Sequence, residues 1–247
     1  MNIVCVGSKG SAVTTTALAV AGGWPQAGAA VVVVEADAAG GDLAARFDLP
    51  SNPSLLTAAA TLQQPTVGRL LEHTHVLPGG LRVLSAPLRG SEAAGGMADF
   101  TRAVIAPLRG SHEVHLVIDA GRCDARTLPT FTLHADLVVV VVRQELRSAP
   151  ATVGRCFHAQ HLIEACMARG LPTVVVVVGD APYRADEIGA FLGVPVAGVL
   201  AEDPHGASYF AGRSASSRFA RRSHLAKSAA VVADKLSAQL TRDLVPV

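Results

Sequence analysis

Residues 3–18 read IVCVGSKGSAVTTTAL, and this stretch decides the fold of the 247-residue chain. The apolar run 3–6 ends at Gly7, a loop of small residues follows, and a helical apolar pattern begins at Thr14. A short strand that passes through such a turn into a helix is the building unit of parallel sheets. Small residues also let backbone N–H groups surround an anion at the positive end of the helix. The stretch therefore predicts an α/β fold with an anion-binding loop after its first strand.

The alternation of strand and helix continues along the chain. Strands are predicted at residues 3–6, 31–35, 81–85, 115–119, 137–142, 173–178 and 196–200. Helices are predicted at residues 14–21, 54–60, 97–108, 149–169, 185–192 and 223–241. The strand runs are short and rich in valine, which indicates strands that are buried on both faces of a parallel sheet.

This pattern predicts one domain over residues 1–247. Its fold class is α/β, with three layers: a mostly parallel, twisted sheet of about seven strands and helices on both faces. Residues 206–217 are rich in Gly, Ser and Ala. They are predicted to form a mobile loop before the last helix.

Composition narrows the class of protein. Half of the residues are hydrophobic and 17% are charged, so the chain can bury a large core. The formal net charge of +1 provides no general attraction to nucleic acid or anionic lipid. None of the four cysteines forms a C-x-x-C pair, which favours a reducing, cytoplasmic compartment. Residues 1–4 lack a basic region, and the apolar runs 137–142 and 173–178 are short, so we expect neither a signal peptide nor a membrane helix.

The loop at residues 7–16, GSKGSAVTTT, partly matches the phosphate-binding pattern G-x-x-x-x-G-K-[ST]. Gly7 and Thr14 fit this pattern. Ala12 stands at the second glycine, and Val13 stands at the lysine. On these residues alone, the segment is equally consistent with an ordinary strand-to-helix turn that Ser or Thr caps.

A pair of carboxylates follows the second predicted strand, in residues 33–43, VVEADAAGGDL. Glu35 and Asp37 are two positions apart at a strand end, so their side chains are expected to point the same way and to serve Mg²⁺ or an attacking water. The alternative is that Asp37 caps a turn and Asp42 caps a helix.

A further carboxylate ends the strand predicted within residues 115–121, HLVIDAG. Asp119 at this strand end is placed to hold a Mg²⁺-bound water, and Gly121 lets the backbone approach a γ-phosphate. An aspartate after a strand is also common without any such role. Ligands of open α/β sheets bind beyond the carboxyl ends of the strands, so the three segments are predicted to meet there.

Together, and in this order, the three segments resemble those of the MinD/ParA ATPases, P-loop proteins with a deviant Walker A motif. Residues 12–18, AVTTTAL, resemble the GKTTTAL that opens the first helix of that family. Residues 33–43 resemble its D-x-D element, and residues 115–121 resemble its Walker B strand. Supporting similarities occur at residues 78–84, 135–138, 145–148 and 194–204. The resemblance covers about residues 1–205 and implies a P-loop NTPase-like fold.

The resemblance implies a site for ATP or ADP with Mg²⁺. Lys9, one position from the family's signature lysine, and Asp37 are the implied catalytic residues. The implied metal ligands are Thr14, Asp37 and Asp119. The implied nucleotide contacts are Gly7, Ser8, Lys9, Gly10, Ser11, Ala12, Val13, Thr14, Thr15, Asp180 and Glu202.

The function implied is a nucleotide-dependent switch that forms a homodimer, acts on a protein partner and positions or regulates a cellular assembly. Val13 removes the ammonium that would neutralise phosphate charge, so hydrolysis is expected to be weak or lost. A degenerate loop of this kind resembles the TadZ/CpaE-like branch, which implies pilus or secretion machinery. The protein is expected in the cytoplasm. A partner at the membrane would bring it to the membrane periphery.

Two alternative functions remain open from the sequence. One is a pseudo-ATPase, a scaffold that keeps the fold for protein contacts. The other is a ParA-like protein that associates with DNA. Its support is a basic cluster assigned to the last helix, which could contact DNA or lipid. A solvated helix face is the favoured interpretation of this cluster, because few large apolar residues flank the charges. The members of this cluster are Arg218, Arg221, Arg222 and Lys227.

Overall fold

The computed structural model describes residues 1–8, 10–25, 28–125, 128–213 and 222–243. Within these ranges the strands are β1 (Asn2–Gly7), β2 (Ala30–Glu35), β3 (His75–Val76), β4 (Arg82–Leu84), β5 (Val114–Arg122), β6 (Leu137–Arg143), β7 (Thr173–Val178) and β8 (Val196–Leu200). They form one eight-stranded sheet in the order β3-β4-β2-β5-β1-β6-β7-β8. All neighbouring strands are parallel except β3 and β4. The predicted fold class is confirmed, and the two-residue edge strand β3 is the addition to the seven strands predicted.

Helices flank both faces of the sheet. They are α1 (Val13–Gly22), α2 (Leu43–Arg46), α3 (Leu55–Thr61), α4 (Val67–Glu72), α5 (Gly90–Phe100), α6 (Ala149–Met167), α7 (Ala185–Leu192), α8 (Pro204–Phe210) and α9 (His224–Asp243). A π-helical turn, Thr101–Ile105, continues α5, and a 3₁₀ helix spans Thr130–His134. None of the helices in the described ranges is long and apolar enough to span a membrane.

The strands carry apolar residues on both faces because helices cover the sheet from both sides. In β1, Val4 and Val6 contribute to one apolar core, whereas Ile3 and Cys5 contribute to the other. The first core lies beneath α3, α5, α6 and α7, and the second lies beneath α1 and α9. This alternation explains why the strands read as continuous valine runs, since neither face is left to water.

Helix α5 begins at Gly90, seven residues before the predicted start at residue 97. Residues 90, 95 and 96 are glycines, which have low helix propensity, so the sequence does not predict a helix that begins at residue 90. Packing accounts for one of them, because a Cβ on Gly96 would lie 2.4 Å from Leu56 Cδ2 of α3. A glycine at this position lets the two helices approach, so tertiary contact outweighs local propensity here.

The prediction of a mobile loop at residues 206–217 is wrong for residues 206–210, which belong to α8. Asp203 caps this helix, since its Oδ1 accepts hydrogen bonds from the N–H groups of His205 and Gly206, each at 3.0 Å. Pro204 at the first helical position favours the same start. Residues 214–217 of the predicted loop lie outside the described residues.

The last helix, α9, begins at His224, one residue later than predicted. Of the basic cluster assigned to it, Lys227 lies in the helix and Arg222 precedes it. Arg218 and Arg221 lie outside the described residues. The helix packs against α1 and β8 through Leu225, Ala229, Val232 and Leu236, which are buried.

Candidate functional site

The described residues between β1 and α1, residues 8 and 10–12, have an unusual backbone conformation. Gly10 and Ala12 both adopt left-handed conformations, with φ of 76° and 62°. The hydroxyls of Ser8 and Ser11 lie 2.7 Å apart, and the Ser11 N–H donates to the Ser8 carbonyl at 3.1 Å. An alanine in this conformation costs about 1–2 kcal/mol relative to an ordinary helical one. The loop therefore keeps a glycine-like geometry at Ala12 without a glycine.

Val13, at the lysine position of the motif, is the first residue of α1 and is 6% exposed. Its side chain belongs to the core beneath α1 and α9. A Cβ on Gly7 would lie 2.8 Å from Val13 Cγ2 and 3.0 Å from the Val141 carbonyl oxygen. Gly7 thus allows the loop to leave β1 close to β6, and Val13 brings no charge to it.

The loop borders a cleft of about 270 Å³ at the carboxyl end of the sheet. Thr14 and Thr15, in the first turn of α1, line this cleft together with Asp37. Asp119 is 1% exposed, and its carboxyl neighbours the Thr14 hydroxyl. Its Oδ1 accepts a hydrogen bond from the Gly121 N–H at 3.0 Å. The structure therefore brings the three predicted metal-binding residues to one place.

Burial dominates the electrostatics of Asp119. Loss of solvent raises the pKa of this carboxyl to about 7, while the neighbouring Thr14 hydroxyl and the Gly121 N–H oppose the rise. The acidic groups Glu35 and Asp37 contribute further repulsion. A divalent cation near Asp119 would relieve this repulsion and favour the ionised carboxylate.

Asp37 follows β2 and serves a turn as well as the cleft. Its Oδ1 accepts a hydrogen bond from the Ala39 N–H at 2.8 Å, which is the turn-capping contact that the sequence left open. Its Oδ2 faces Gly121, where an added Cβ would lie 2.0 Å away. The side chain is half-buried and lines the cleft beside Thr14. One carboxylate oxygen thus fixes the turn, and the other is held next to β5.

Glu35 does not line the cleft with Asp37, so the expectation that the two carboxylates together serve Mg²⁺ or an attacking water is wrong for Glu35. Glu35 is 2% exposed. Its Oε1 accepts from the N–H groups of Asp42 and Leu43 at 2.7 and 2.9 Å, and its Oε2 accepts from Ala86 at 2.9 Å. Burial raises its pKa, and the three backbone hydrogen bonds oppose the rise. Glu35 therefore ties β2 to two neighbouring loops.

Asp42 is the residue before α2, but its side chain accepts no capping hydrogen bond from the helix. The alternative that its carboxylate caps a helix is therefore wrong. Its carboxylate pairs with Arg46 Nη2 at 2.5 Å. Arg46 in turn lines the cleft. The pair places one partly neutralised cation at the border of the site.

The residues around the cleft fit Mg²⁺ bound together with phosphate. Asp37 and Asp119 offer carboxylate oxygens and Thr14 offers a hydroxyl, and Mg²⁺ typically takes one or two carboxylates plus phosphate and water oxygens. Among the described residues, no cluster of three or more His, Cys, Asp or Glu side chains could hold a metal ion unaided. The arrangement thus suits a cation that arrives with a phosphate ligand.

The other two predicted contacts, Asp180 and Glu202, lie along the same edge of the sheet but away from the loop. They follow β7 and β8, two and three strands from β1, which corresponds to roughly 10 and 14 Å. Both are exposed, and Glu202 forms an ion pair with Arg143. The structure does not bring them into the cleft with Thr14.

Gln144 organises this outer part of the edge and was missed in the sequence. It is buried, donates to the carbonyls of Gly179 and Tyr183 at 2.9 Å each, and accepts from the Tyr183 N–H at 2.8 Å. These contacts fix the segment after β7. An isolated glutamine after a valine run does not indicate from sequence that its side chain will bind the backbone of a distant segment.

Three arginines near the loop were also missed in the sequence. Arg46 and Arg122 line the cleft, and Arg155 of α6 has Nη2 3.7 Å from the position of a Cβ on Gly10. Arg122 was detectable because it directly follows the Asp119-Ala120-Gly121 element. Lys9, the one cation that the sequence placed in the loop, lies outside the described residues.

Comparisons with known proteins agree with this geometry at the level of the fold. No protein-family model matches the chain. No curated protein matches it in sequence. Solved structures do match over nearly the whole chain.

The cell division ATPase MinD of Pyrococcus furiosus is 18% identical, with 96% of this chain and 99% of that chain covered and a TM-score of 0.71. The septum site-determining protein MinD of Pyrococcus horikoshii OT3, complexed with Mg-ADP, is 18% identical, with 97% and 99% covered and a TM-score of 0.70. A ParA family ATPase from Chlorobium tepidum TLS is 17% identical, with 95% and 97% covered and a TM-score of 0.68. The chain therefore has the fold of the MinD and ParA ATPases, as its sequence resemblance predicted.

Proposed function

We propose that this protein is a MinD/ParA-like nucleotide-binding switch that takes ATP or ADP with Mg²⁺ in the cleft beside the β1–α1 loop. The observation that carries the proposal is the convergence of Thr14, Asp37 and the buried Asp119 at the first turn of α1. Three separate chain segments supply these groups, as a metal-assisted phosphate site requires. The structural neighbour from Pyrococcus horikoshii, complexed with Mg-ADP, supports this choice of ligand.

Binding and hydrolysis place different demands on this site. The N–H groups of the loop and the helix dipole can hold phosphates without a lysine. Val13 supplies neither a donor nor a charge, and its side chain is committed to the core. Charge matters most where negative charge shifts in the transition state, so turnover should suffer more than binding. Slow or absent hydrolysis is therefore part of the proposal.

The switch would act by dimerisation. Nucleotide bound at the exposed carboxyl edge of the sheet could bridge two copies of the chain face to face and so create a surface for a protein partner. Sedimentation velocity tests this directly, with ATP and Mg²⁺, with ADP and Mg²⁺, and without nucleotide. We expect a monomer without nucleotide and a dimer with ATP. An unchanged monomer in all three conditions, despite measured ATP binding, would remove the dimeric switch.

A pseudo-ATPase scaffold is the second candidate, and the buried Val13 is the observation that favours it. Equilibrium titration with ATP and ADP distinguishes the two functions. The switch requires saturable binding at or below millimolar nucleotide. If the folded protein binds neither nucleotide at millimolar concentration, the scaffold is the better account.

A further inference from the structure

The P-loop cleft lacks a lysine at position 13 but is surrounded by arginines. Phosphate groups carry several negative charges, and hydrogen-bond donors with a positive charge bind them about twice as strongly as neutral donors. Among the described residues of the loop, 8 and 10–13, no side chain carries a positive charge. A cation that binds the phosphates from elsewhere in the described chain must reach them without first breaking another interaction.

Arg46 and Arg155 are both engaged elsewhere. Arg46 pairs with Asp42 at 2.5 Å, so its charge is already partly neutralised. Arg155 donates from Nη1 to the Arg143 carbonyl at 3.0 Å, and its Nη2 lies 3.5 Å from Glu145 Oε2. These contacts hold the Arg155 guanidinium against β6. Neither residue is free to turn toward a ligand without cost.

Arg122 is the exception among these three. It is exposed, lines the cleft with Thr14 and Asp37, and forms no ion pair or side-chain hydrogen bond with the residues that the structure describes. An exposed arginine carries its full charge and can present its guanidinium fork to two oxygens at once.

The backbone holds Arg122 at the start of the loop. Cys5 pairs with Asp119 across the β1–β5 ladder, and Gly7 pairs with Arg122, so β5 contains one extra residue between the two pairs. Gly121, with φ of 60°, lies within this bulge. After the bulge, the Cys123 N–H donates a hydrogen bond to the Gly7 carbonyl at 3.1 Å, so the pairing of the two strands continues. Bulges of this kind redirect a side chain next to a binding site.

We infer that Arg122 supplies the positive charge that Val13 cannot, by binding the phosphate groups of the nucleotide from the β5 side of the loop. The inference rests on the proposed function and deepens it, because it names the cation of the same site. Arg122 contacts phosphate rather than the base or the ribose, so its contribution should grow with the number of phosphate groups on the ligand.

Calorimetric titration of Arg122→Ala with ATP, adenosine and inorganic tripolyphosphate, each with Mg²⁺, tests the inference. We expect affinity for ATP and tripolyphosphate to fall roughly tenfold to a hundredfold, and affinity for adenosine to stay unchanged. Arg122→Lys should retain part of the affinity, since it keeps the charge and loses the fork. The matched control is Arg109→Ala, an exposed arginine before β5 at the opposite edge of the sheet, which should bind all three ligands like the wild type.

Each outcome decides one of the two claims. If Arg122→Ala binds ATP within twofold of the wild type, Arg122 is a solvated surface residue and the inference is overturned while the nucleotide site stands. If the wild type itself binds neither ATP nor tripolyphosphate, the proposed function is overturned together with the inference. Thermal melting checks that the alanine variant folds. Should it fail to fold, Arg122→Gln provides a neutral side chain of similar length, and the same expectation applies to it.

Discussion

The carboxylate of Asp37 lies directly against Gly121, so that a Cβ on the glycine would fall 2.0 Å from Asp37 Oδ2. Asp37 follows β2 and Gly121 lies in β5, its neighbour in the sheet. The absence of a side chain at 121 thus makes room for an acidic group from the adjacent strand. It brings Asp37 to the cleft that Thr14 lines, next to the buried Asp119.

Gly121→Ala should displace Asp37 and weaken Mg²⁺-dependent ATP binding roughly tenfold or more. The substitution also strains the backbone, because φ is 60° at this position. Gly110→Ala is the matched control, since Gly110 has φ of 82° and a Cβ there would have no neighbour within 4 Å. Both variants should lose stability from strain, and only Gly121→Ala should lose Mg²⁺-dependent binding in calorimetry. Equal binding by the two variants would contradict the link between Gly121 and Asp37.

Glu35→Ala should lower the free energy of unfolding by roughly 3 kcal/mol or more, because three N–H groups, two of them buried, lose their acceptor. Urea denaturation measures this loss. The control is Glu92→Ala, whose carboxylate pairs with Arg89 at 3.7 Å on the surface and should change stability by less than about 1 kcal/mol. A Glu35→Ala protein of near wild-type stability would show that Glu35 does not hold the two loops in place.

The sequence predicted which polar residues at the strand ends form the site. It did not predict the hydrogen-bond partners of the carboxylates. Thr14, Asp37 and Asp119 follow or flank strands in the order that the resemblance provides, so their meeting was foreseen. The three backbone N–H groups around Glu35 come from residues seven, eight and fifty-one positions away, and local spacing cannot show such a cage.

Two further features depend on tertiary contact alone. Arg122 differs from Arg46 and Arg155 because those two arginines form ion pairs. The ion pairs exist only in the folded chain, so the sequence does not show which arginine can bind a ligand. The early start of α5 depends on the fit of Gly96 against α3. Propensity treats that glycine as a helix breaker, whereas the packing interface requires it.

Val13→Lys should raise ATP turnover and lower stability. Position 13 borders both the core and the cleft, so a long side chain can reach from one to the other and bring an ammonium to the phosphates. Loss of the buried valine packing should cost roughly 1–3 kcal/mol in urea denaturation. Val13→Met, of similar length and without charge, is the control and should lose stability without gaining turnover. Robust turnover by the native chain that Lys9→Ala leaves unchanged would refute the impaired site.

His115 should make the protein less stable in mild acid. Burial is the main cause that lowers its pKa from 6.5 to about 4, and the nearby terminal ammonium and His112 add to it. Between these pH values the unfolded chain binds a proton that the folded chain does not, so the free energy of unfolding falls as pH falls. The largest slope from this one group is about 1.4 kcal/mol per pH unit.

Urea denaturation at several pH values compares the wild type with His115→Leu. The difference in unfolding free energy between the two proteins should change in favour of the variant as pH is lowered from 6.5 toward 4. This comparison removes the contribution of groups common to both, including Asp119. A constant difference across that range would show that His115 does not titrate as its burial requires.

The Mg²⁺ dependence of ATP affinity shows whether Asp119 and Asp37 form a metal-assisted phosphate site with Thr14. Calorimetry should show that the wild type binds ATP roughly tenfold or more tightly with Mg²⁺ than with a chelator, because two carboxylates share the cation with phosphate. Asp119→Asn should abolish this difference, whereas Asp99→Asn, a surface aspartate paired with Arg102, should preserve it. Equal affinity with and without Mg²⁺ in the wild type, or an undiminished Mg²⁺ effect in Asp119→Asn, would contradict the assignment of the site.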